Sequence, residues 1–491
     1  MINRAITIFL FCIVACGFTG KRVTLKQPPN IIFILVDDLG WKDVGSYGST
    51  FYETPYIDAL AAKGMSFTNA YAASPVCSPT RASILAGKHP VRLGTTDWFG
   101  APQPEDVYNR KTWKNQLFPA SYKEYLPLEE KTIAEALKEY GYTTFFAGKW
   151  HLGYDERYWP EHQGFDVNKG GFFMGHPPRN GKANGYFPPY GNPRLGDGPK
   201  GEYLPHRLAE ETVTFIEQHQ DQPFLAYLSF YSVHTPLMTT EELQAKYERK
   251  REELGLTNNW WGKEGNRKVR KIQNHAVYAG MVEAMDQAVG RITSKLRELD
   301  IDDNTIIIFT SDNGGLSTAE GHPTSNMPLR AGKGWLYEGG IRVPLIIKWP
   351  EVTKPGSVST EPVISMDFYP TILHAAYLPP ESEQHLDGQS LVPLLKGEVL
   401  DHRPLYWHYP HYGNQGGSPG SVIRDGKWKL IEWYEDRGKI ELYNLHKDIE
   451  EKYDVSDEYP DTTKRLYEQL KEWRSSMDAR EPSLNPIYKP R

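Results

Sequence analysis

The pattern of apolar and polar positions divides the chain into two textures. Up to about residue 380, continuous apolar runs alternate with helical patterns. Asn30 to Val36 reads Asn-Ile-Ile-Phe-Ile-Leu-Val, and similar runs occupy Tyr142–Phe146, Phe224–Phe230, Thr305–Phe309 and Val343–Lys348. An unbroken apolar run of this length marks a strand buried on both faces, as in a mostly parallel sheet. Helix signals lie between the runs. Thr54-Pro55 caps a short helix that stops at Gly64, and Thr132-x-x-Glu135 resembles a capping box for a helix that ends at Gly141. An amphipathic stretch runs from about Asn274 to Leu299. Strands alternating with helices predict an α/β fold, with a large, mostly parallel central sheet sandwiched by helices. From about residue 381 the texture changes. Val422–Arg424, Trp428–Trp433 and Ile440–Tyr443 read as short antiparallel strands, followed by a charged helix near Thr462–Met477. The expected organisation is a large α/β domain over 24–380 and a small C-terminal sheet plus helix over 381–491. Gly/Pro-rich stretches at 170–201 and 410–420 read as long loops, a common seat of function.

Charge narrows the partners. The chain of 491 residues carries 56 Lys and Arg against 62 Asp and Glu, a net charge of −6. That mild acidity argues against a dedicated nucleic-acid binder, which shows a basic face. The first 15 residues read as an export signal: Arg4, then an apolar stretch too short to span a bilayer. Ile13-Val14-Ala15-Cys16 resembles a bacterial lipobox, which would make Cys16 a lipid anchor; ordinary cleavage beside Ala15 is the alternative. Either way the expected location is outside the cytoplasm. The chain is then a periplasmic or cell-envelope lipoprotein, otherwise secreted, touching a membrane only through that anchor. With three cysteines, Cys12, Cys16 and Cys77, a disulfide scaffold is excluded.

In open α/β sheets, ligands bind beyond the carboxyl ends of the strands. Asp37-Asp38 follow the first apolar run, and Asp312-Asn313 follow the run at Thr305. Lys149 and His151 follow the run at Tyr142, and His234 follows that at Phe224. Asp37, Asp38, Asp312 and Asn313 form an all-oxygen set suited to a hard cation, Ca²⁺ before Mg²⁺. Any one Asp there also fits a plain loop turn or helix cap. Cys77 opens Cys77-Ser78-Pro79-Thr80-Arg81, where Pro79 suits a first helical turn and Gly87 the end of the helix. At i and i+4, Arg81 shares a face with Cys77. Free backbone N–H groups and the helix dipole make this turn ready for an anion; a buried, inert cysteine is the alternative reading.

Cys-x-Pro-x-Arg before a small-residue helix resembles the signature of formylglycine-dependent (type I) sulfatases of the alkaline phosphatase superfamily. Other segments resemble the same family in the same order. They are Val36-Asp37-Asp38-Leu39-Gly40, Gly148-Lys149-Trp150-His151-Leu152-Gly153, Val233-His234-Thr235-Pro236, Ser311-Asp312-Asn313-Gly314-Gly315, Lys333 within Arg330–Gly334, and Ile423–Leu430. The resemblance spans about residues 28 to 455. It implies that a formylglycine-generating or anaerobic sulfatase-maturating enzyme oxidises Cys77 to Cα-formylglycine (3-oxoalanine). One hydroxyl of the hydrated aldehyde attacks sulfur, and the other then loses a proton and expels sulfate. It also implies one Ca²⁺ held by Asp37, Asp38, Cys77, Asp312 and Asn313. Arg81 would steady the nucleophile, Lys149 and Lys333 bind sulfate oxygens, His151 act as base and His234 as acid toward the leaving alcohol. Export and abundant aromatics point to a sulfated glycan substrate. Candidate contacts are His176 and Arg179 in one loop, His408 and His411 in another, and the basic stretch Trp260–Lys271. A phosphate- or phosphonate-ester hydrolase and a non-catalytic glycan-binding protein on the same scaffold are the rival readings. The sequence leaves the sugar, the sulfated position and the oligomeric state open.

Overall fold

The structure is a computed structural model that describes residues 27–106, 114–258, 260–435 and 438–488. The export segment, with Cys12 and Cys16, lies outside the described residues. No helix among the described residues is long and apolar enough to cross a membrane.

Eight strands build the central sheet: β1 (Asn30–Val36), β2 (Met65–Phe67), β3 (Thr143–Gly148), β4 (Val167–Lys169), β5 (Phe224–Ser229), β6 (Thr305–Ser311), β7 (Leu345–Lys348) and β8 (Ser357–Ser359). Their spatial order is β8-β2-β7-β6-β1-β5-β3-β4. β1 lies at the centre, and its six residues from Ile31 to Val36 are fully buried, as an unbroken apolar run requires. All pairings are parallel except those of β7 with β6 and β2. The run at Val343–Lys348 is two strands rather than one. Pro344, which has no N–H to donate, separates Leu345–Lys348 from Arg342–Val343, which pairs instead with Ala70–Tyr71 in a small separate sheet.

Helices flank the sheet in two groups. Pro55–Lys63, Leu204–His219, Glu241–Glu253 and Ala276–Glu298 pack together, as do Cys77–Ala86, Ile133–Lys138 and Phe368–Ala375. The capping box at Thr132 and Glu135 forms in full. The cap expected from Thr54 does not. Its hydroxyl bonds Asp58, and the free amides of Tyr56 and Ile57 donate instead to Asp286 on the Ala276–Glu298 helix.

The C-terminal sheet has four strands, one more than the pattern predicts: β9 (Leu405–Tyr409), β10 (Gly420–Asp425), β11 (Trp428–Trp433) and β12 (Lys439–Asn444), all antiparallel. The helix Pro460–Ser476 packs on β10 and β11. A second core joins this sheet to the larger domain, with Trp335, Leu336 and Ile364 buried against Trp407, Val422 and Ile431.

Candidate active site

Strand register places the chemistry at one edge. β1 and β6 pair in parallel from Asn30↔Thr305 to Val36↔Ser311, so Asp37 and Asp312 leave the sheet at the same level. Leu35 and Gly148 both pair with Ser229, which brings Lys149 to the same edge. Asp38 and His151 adopt left-handed backbone, with φ of 62° and 58°, just past their strands. Such values in non-glycine residues are sparse and concentrate at functional sites.

Arg81, 2% exposed, ties these ends together. Its Nε donates to Asp312 Oδ2 at 2.8 Å, and its Nη1 donates to the Lys149 carbonyl at 2.9 Å and to Ser229 Oγ at 2.6 Å. Lys149 Nζ lies 2.7 Å from Asp37 Oδ2, and Lys333 Nζ lies 2.7 Å from Asp38 Oδ1. Burial raises the Asp37 carboxyl, and Lys149 only partly offsets it. Burial would raise Asp38 too, but Lys333, His234 and Lys149 outweigh it and hold that carboxyl well below its ordinary range.

The oxygen donors fit a hard cation. Asn313 Nδ2 donates to Asp38 Oδ1 and to the Gly314 carbonyl, which fixes the amide and leaves Asn313 Oδ1 buried without a donor. Asp37 Oδ1 is likewise buried without a hydrogen bond. Two such atoms cost free energy unless something positive meets them. One ligand atom each from Asp37, Asp38 and His234 lie within 4.8 Å of one another, so the imidazole borders the same cation position.

Cys77 is the first residue of the helix Cys77–Ala86 and is buried. Gly87, at φ 66°, ends that helix in the left-handed region. Cys77 Sγ is 3.4 Å from His151 Nδ1, and Ser78 Oγ is 3.2 Å from the same nitrogen. His151 Nε2 is 3.2 Å from the Phe99 carbonyl, which can only accept. The proton therefore sits on Nε2, and the Nδ1 lone pair faces Cys77. Burial pushes His151 well below its ordinary pKa, with Lys149 and Arg81 adding to the effect. Burial also raises the Cys77 thiol, against Lys149 and Lys333. A buried thiol with raised pKa is a poor nucleophile as it stands. His234 Nδ1 is 2.7 Å from the Thr235 carbonyl and its Nε2 is 3.7 Å from Asp38 Oδ2.

Four of these groups open onto a cleft of about 430 Å³, while Asp37, Asp38, Arg81, Lys149, Asp312 and Asn313 are buried and do not line it. Cys77, His151, His234 and Lys333 line it with His176. Its walls are Phe173 and Met174 from the long loop at 170–201 and the unforeseen Trp98 and Phe99, with Asn414 and Gln415 from the long loop at 410–420 and the unforeseen Glu320 at the rim. The two loops are legible as loops, but nothing in the chain singles out which of their residues line the cleft. Arg179 is exposed and does not line the cleft. His408 and His411 do not line it either. His408, 5% exposed, contacts Ser421 Oγ and the Arg480 carbonyl, while His411, 1% exposed, contacts Thr96 Oγ1. His408 is thus held within the C-terminal packing, whereas His411, just past β9, is held against Thr96, Asp97 and Tyr122 of the larger domain.

Known proteins share this fold and sequence. A family model described as Sulfatase matches residues 29–378, and one described as N-sulphoglucosamine sulphohydrolase, C-terminal, matches residues 331–476. A sulfatase of Formosa agariphila is 33% identical over 550 residues, covering 95% of this chain and 93% of the relative. The N-acetylgalactosamine-6-sulfatase of Canis lupus familiaris is 33% identical over 398 residues, covering 78% of this chain and 69% of the relative. The crystal structure of Ps i-CgsB in complex with k-i-k-neocarrahexaose superposes with a TM-score of 0.74 at 30% identity, covering 94% of this chain and 95% of that one.

Proposed function

The chain belongs to the sulfatase family and is a sulfuric ester hydrolase; from that premise we propose that it removes sulfate from a sulfated oligosaccharide or polysaccharide. The nucleophile is a formylglycine made from Cys77, and Ca²⁺ is the cation. The observation that carries the proposal is the placement of Cys77 at a helix start, 3.4 Å from the His151 lone pair, above a buried oxygen cluster with two unmatched oxygens. Two similarities support the glycan. One relative is named for a sulfated amino sugar, and one solved relative holds k-i-k-neocarrahexaose.

Asp37, Asp38, Asp312 and Asn313 would hold the cation, which supplies positive charge against a sulfate oxygen. The chain's own groups do the rest. Arg81 locks Asp312 to the Lys149 main chain and so fixes the buried cluster. The Lys149 and Lys333 ammoniums flank that cluster and stabilise charge developing on sulfate oxygens. His151 Nδ1 takes the proton whose loss expels sulfate, and its Nε2–H to Phe99 keeps that lone pair aimed at position 77. His234, which lines the cleft, is the group placed to hand a proton to the departing alcohol oxygen; it must first be charged, because its Nδ1–H goes to the Thr235 carbonyl and burial beside Lys333 holds it well below its ordinary pKa. A plain hydroxyl at position 77 would need water to attack sulfur again, whereas a geminal diol releases sulfate from within.

The location we propose is the cell envelope, through the signal pattern ending at Cys16. Two measurements test the reading. Sulfate, and not phosphate, is expected from matched ester substrates. Mass spectrometry of the Cys77 peptide from the native host is expected to show the aldehyde; an intact thiol in active protein would sink the mechanism. Lipid labelling that is lost in Cys16→Ser separates the anchored form from the secreted one.

A further inference from the structure

The basic stretch Trp260–Lys271 has no part in the chemistry above. It forms a hairpin in which Trp261–Glu264 pairs with Arg267–Arg270. The hairpin stands beside the outer rim of the cleft. Arg267 Nη2 donates to the Asn414 carbonyl at 3.3 Å, and the Arg270 N–H donates to the Ser317 carbonyl at 3.0 Å. The His322 ring meets Trp261 edge-on, with centroids 5.3 Å apart. Asn414 and Glu320 are themselves rim residues.

The hairpin's charge is unlike that of the chain. Residues 260–271 hold five cations and one acid in a chain of net −6. The acid, Glu264, is taken up by Arg330, with Nη2 to Oε1 at 2.7 Å and Nε to Oε2 at 3.0 Å. Antiparallel register puts Trp261 opposite Arg270 and Lys263 opposite Lys268, so all four share one face. Like charges directly opposite each other destabilise a ladder. Among the described residues, neither lysine has a carboxylate partner in an ion pair. Trp261 is 43% exposed, with Lys268 5.8 Å and Arg270 5.0 Å from its ring centre. An exposed indole beside the unpaired Lys268 ammonium, with Lys263 opposite that lysine on the same face, is complementary to a sugar ring that carries an anionic group.

We propose that this face holds a second, anionic sugar unit of the substrate chain, beyond the unit whose sulfate is removed. The inference rests on the sulfated-glycan reading above and adds a length requirement to it. Glu320 explains why the second unit is not the immediate neighbour. Its carboxylate accepts from Gln415 at 2.8 Å and from Asn414 at 3.2 Å, and it places negative charge on the rim. A further sulfate or carboxylate is repelled there and attracted to Lys263 and Lys268, on the hairpin face whose Trp261 packs on His322, two residues from Glu320.

The test uses the full chain, a small aryl sulfate, and a size series from disaccharide to hexasaccharide cut from one sulfated polymer. The variants are the exposed double substitution Lys263→Gln/Lys268→Gln and, separately, Trp261→Ala. In the wild type, kcat/KM is expected to rise with length. The double variant is expected to lose about fivefold on the hexasaccharide through KM, with turnover of the disaccharide and aryl sulfate unchanged. Salt sensitivity on the hexasaccharide should fall with it. Equal losses on all substrates, or none on the hexasaccharide, would overturn the hairpin's role while leaving the sulfatase reading intact. Absence of sulfate release from every substrate would overturn both.

Discussion

Two buried clusters of opposite charges lie five residues apart on one segment, at Lys333 and at Glu338. The first gathers Asp37, Asp38 and Asp312 with Arg81, Lys149 and Lys333 at the strand ends. The second gathers Glu338 and Glu451 around Lys429, with Arg342, Arg424 and Tyr71. Both exclude water, and Asp37, Lys149, Glu338, Lys429 and Glu451 are each fully buried. They differ in satisfaction. In the second cluster every carboxylate oxygen has a cation or donor within 3.2 Å: Lys429 bridges both acids, Tyr71 and Arg342 reach Glu338 Oε2, and the Glu338 N–H reaches Glu451 Oε2. In the first, Asp37 Oδ1 has only Arg81 at 3.8 Å, and Asn313 Oδ1 has no donor. The first also lines the cleft through Lys333, and the second does not. Burial of charge alone therefore does not mark an active site; the first cluster is set apart by its unmatched oxygens and by reaching a cleft through Lys333. The closed cluster fastens the C-terminal sheet to the segment that carries Lys333.

This contrast breaks or holds by experiment. The largest effect is expected from Cys77→Ala, which removes the reacting group without touching either cluster. Turnover should fall by about 10⁴-fold or more while the melting temperature stays near that of the wild type. Asp312→Asn comes next. It removes a donor and the partner of Arg81, and activity should fall about 10²-fold with partial recovery at high Ca²⁺. A chelator should abolish wild-type activity and lower the melting temperature, since a ligand of the folded state stabilises it. If chelated enzyme kept its activity and melting point, the cation assignment would fall.

Lys429→Met is the converse case. It strands two buried carboxylates and should cost about 3–5 kcal/mol in denaturant unfolding, with kcat per folded molecule preserved. A kcat collapse at unchanged stability would mean that the second cluster serves catalysis. Tyr71→Phe removes only the hydroxyl between Arg424 and Glu338 and should cost about 1–2 kcal/mol. The smallest effect concerns Asp286. Burial, opposed by the Ile57 and Tyr56 amides, pushes its carboxyl up to about 7. Below the unfolded value of about 4 its contribution is fully present, and it is lost as pH rises toward 7, because the folded chain holds a proton that the unfolded chain has released. Asp286→Asn should flatten that part of the pH–stability curve.

The sequence by itself determined the strands, because an apolar run seven residues long, such as Asn30–Val36, has few other places to go. It also determined the order of the reactive groups, since each comes directly after a strand: Asp37-Asp38, Lys149 and His151, Asp312-Asn313. The helix at Cys77 was legible from Pro79 and Gly87. A side chain one or two positions past a strand is carried to the sheet edge by strand geometry, so local pattern suffices. The tertiary structure alone decided the rest. It capped Pro55–Lys63 with Asp286 from another helix, where Thr54 was expected to serve. It split Val343–Lys348 between two sheets, and it turned His408 and His411 into packing. It also placed Trp98, Phe173, Glu320 and Gln415 around one cleft, although more than 300 residues separate the first from the last. Those placements depend on how long loops fold back over the sheet. A contact made across such a distance leaves no periodicity in the chain to read.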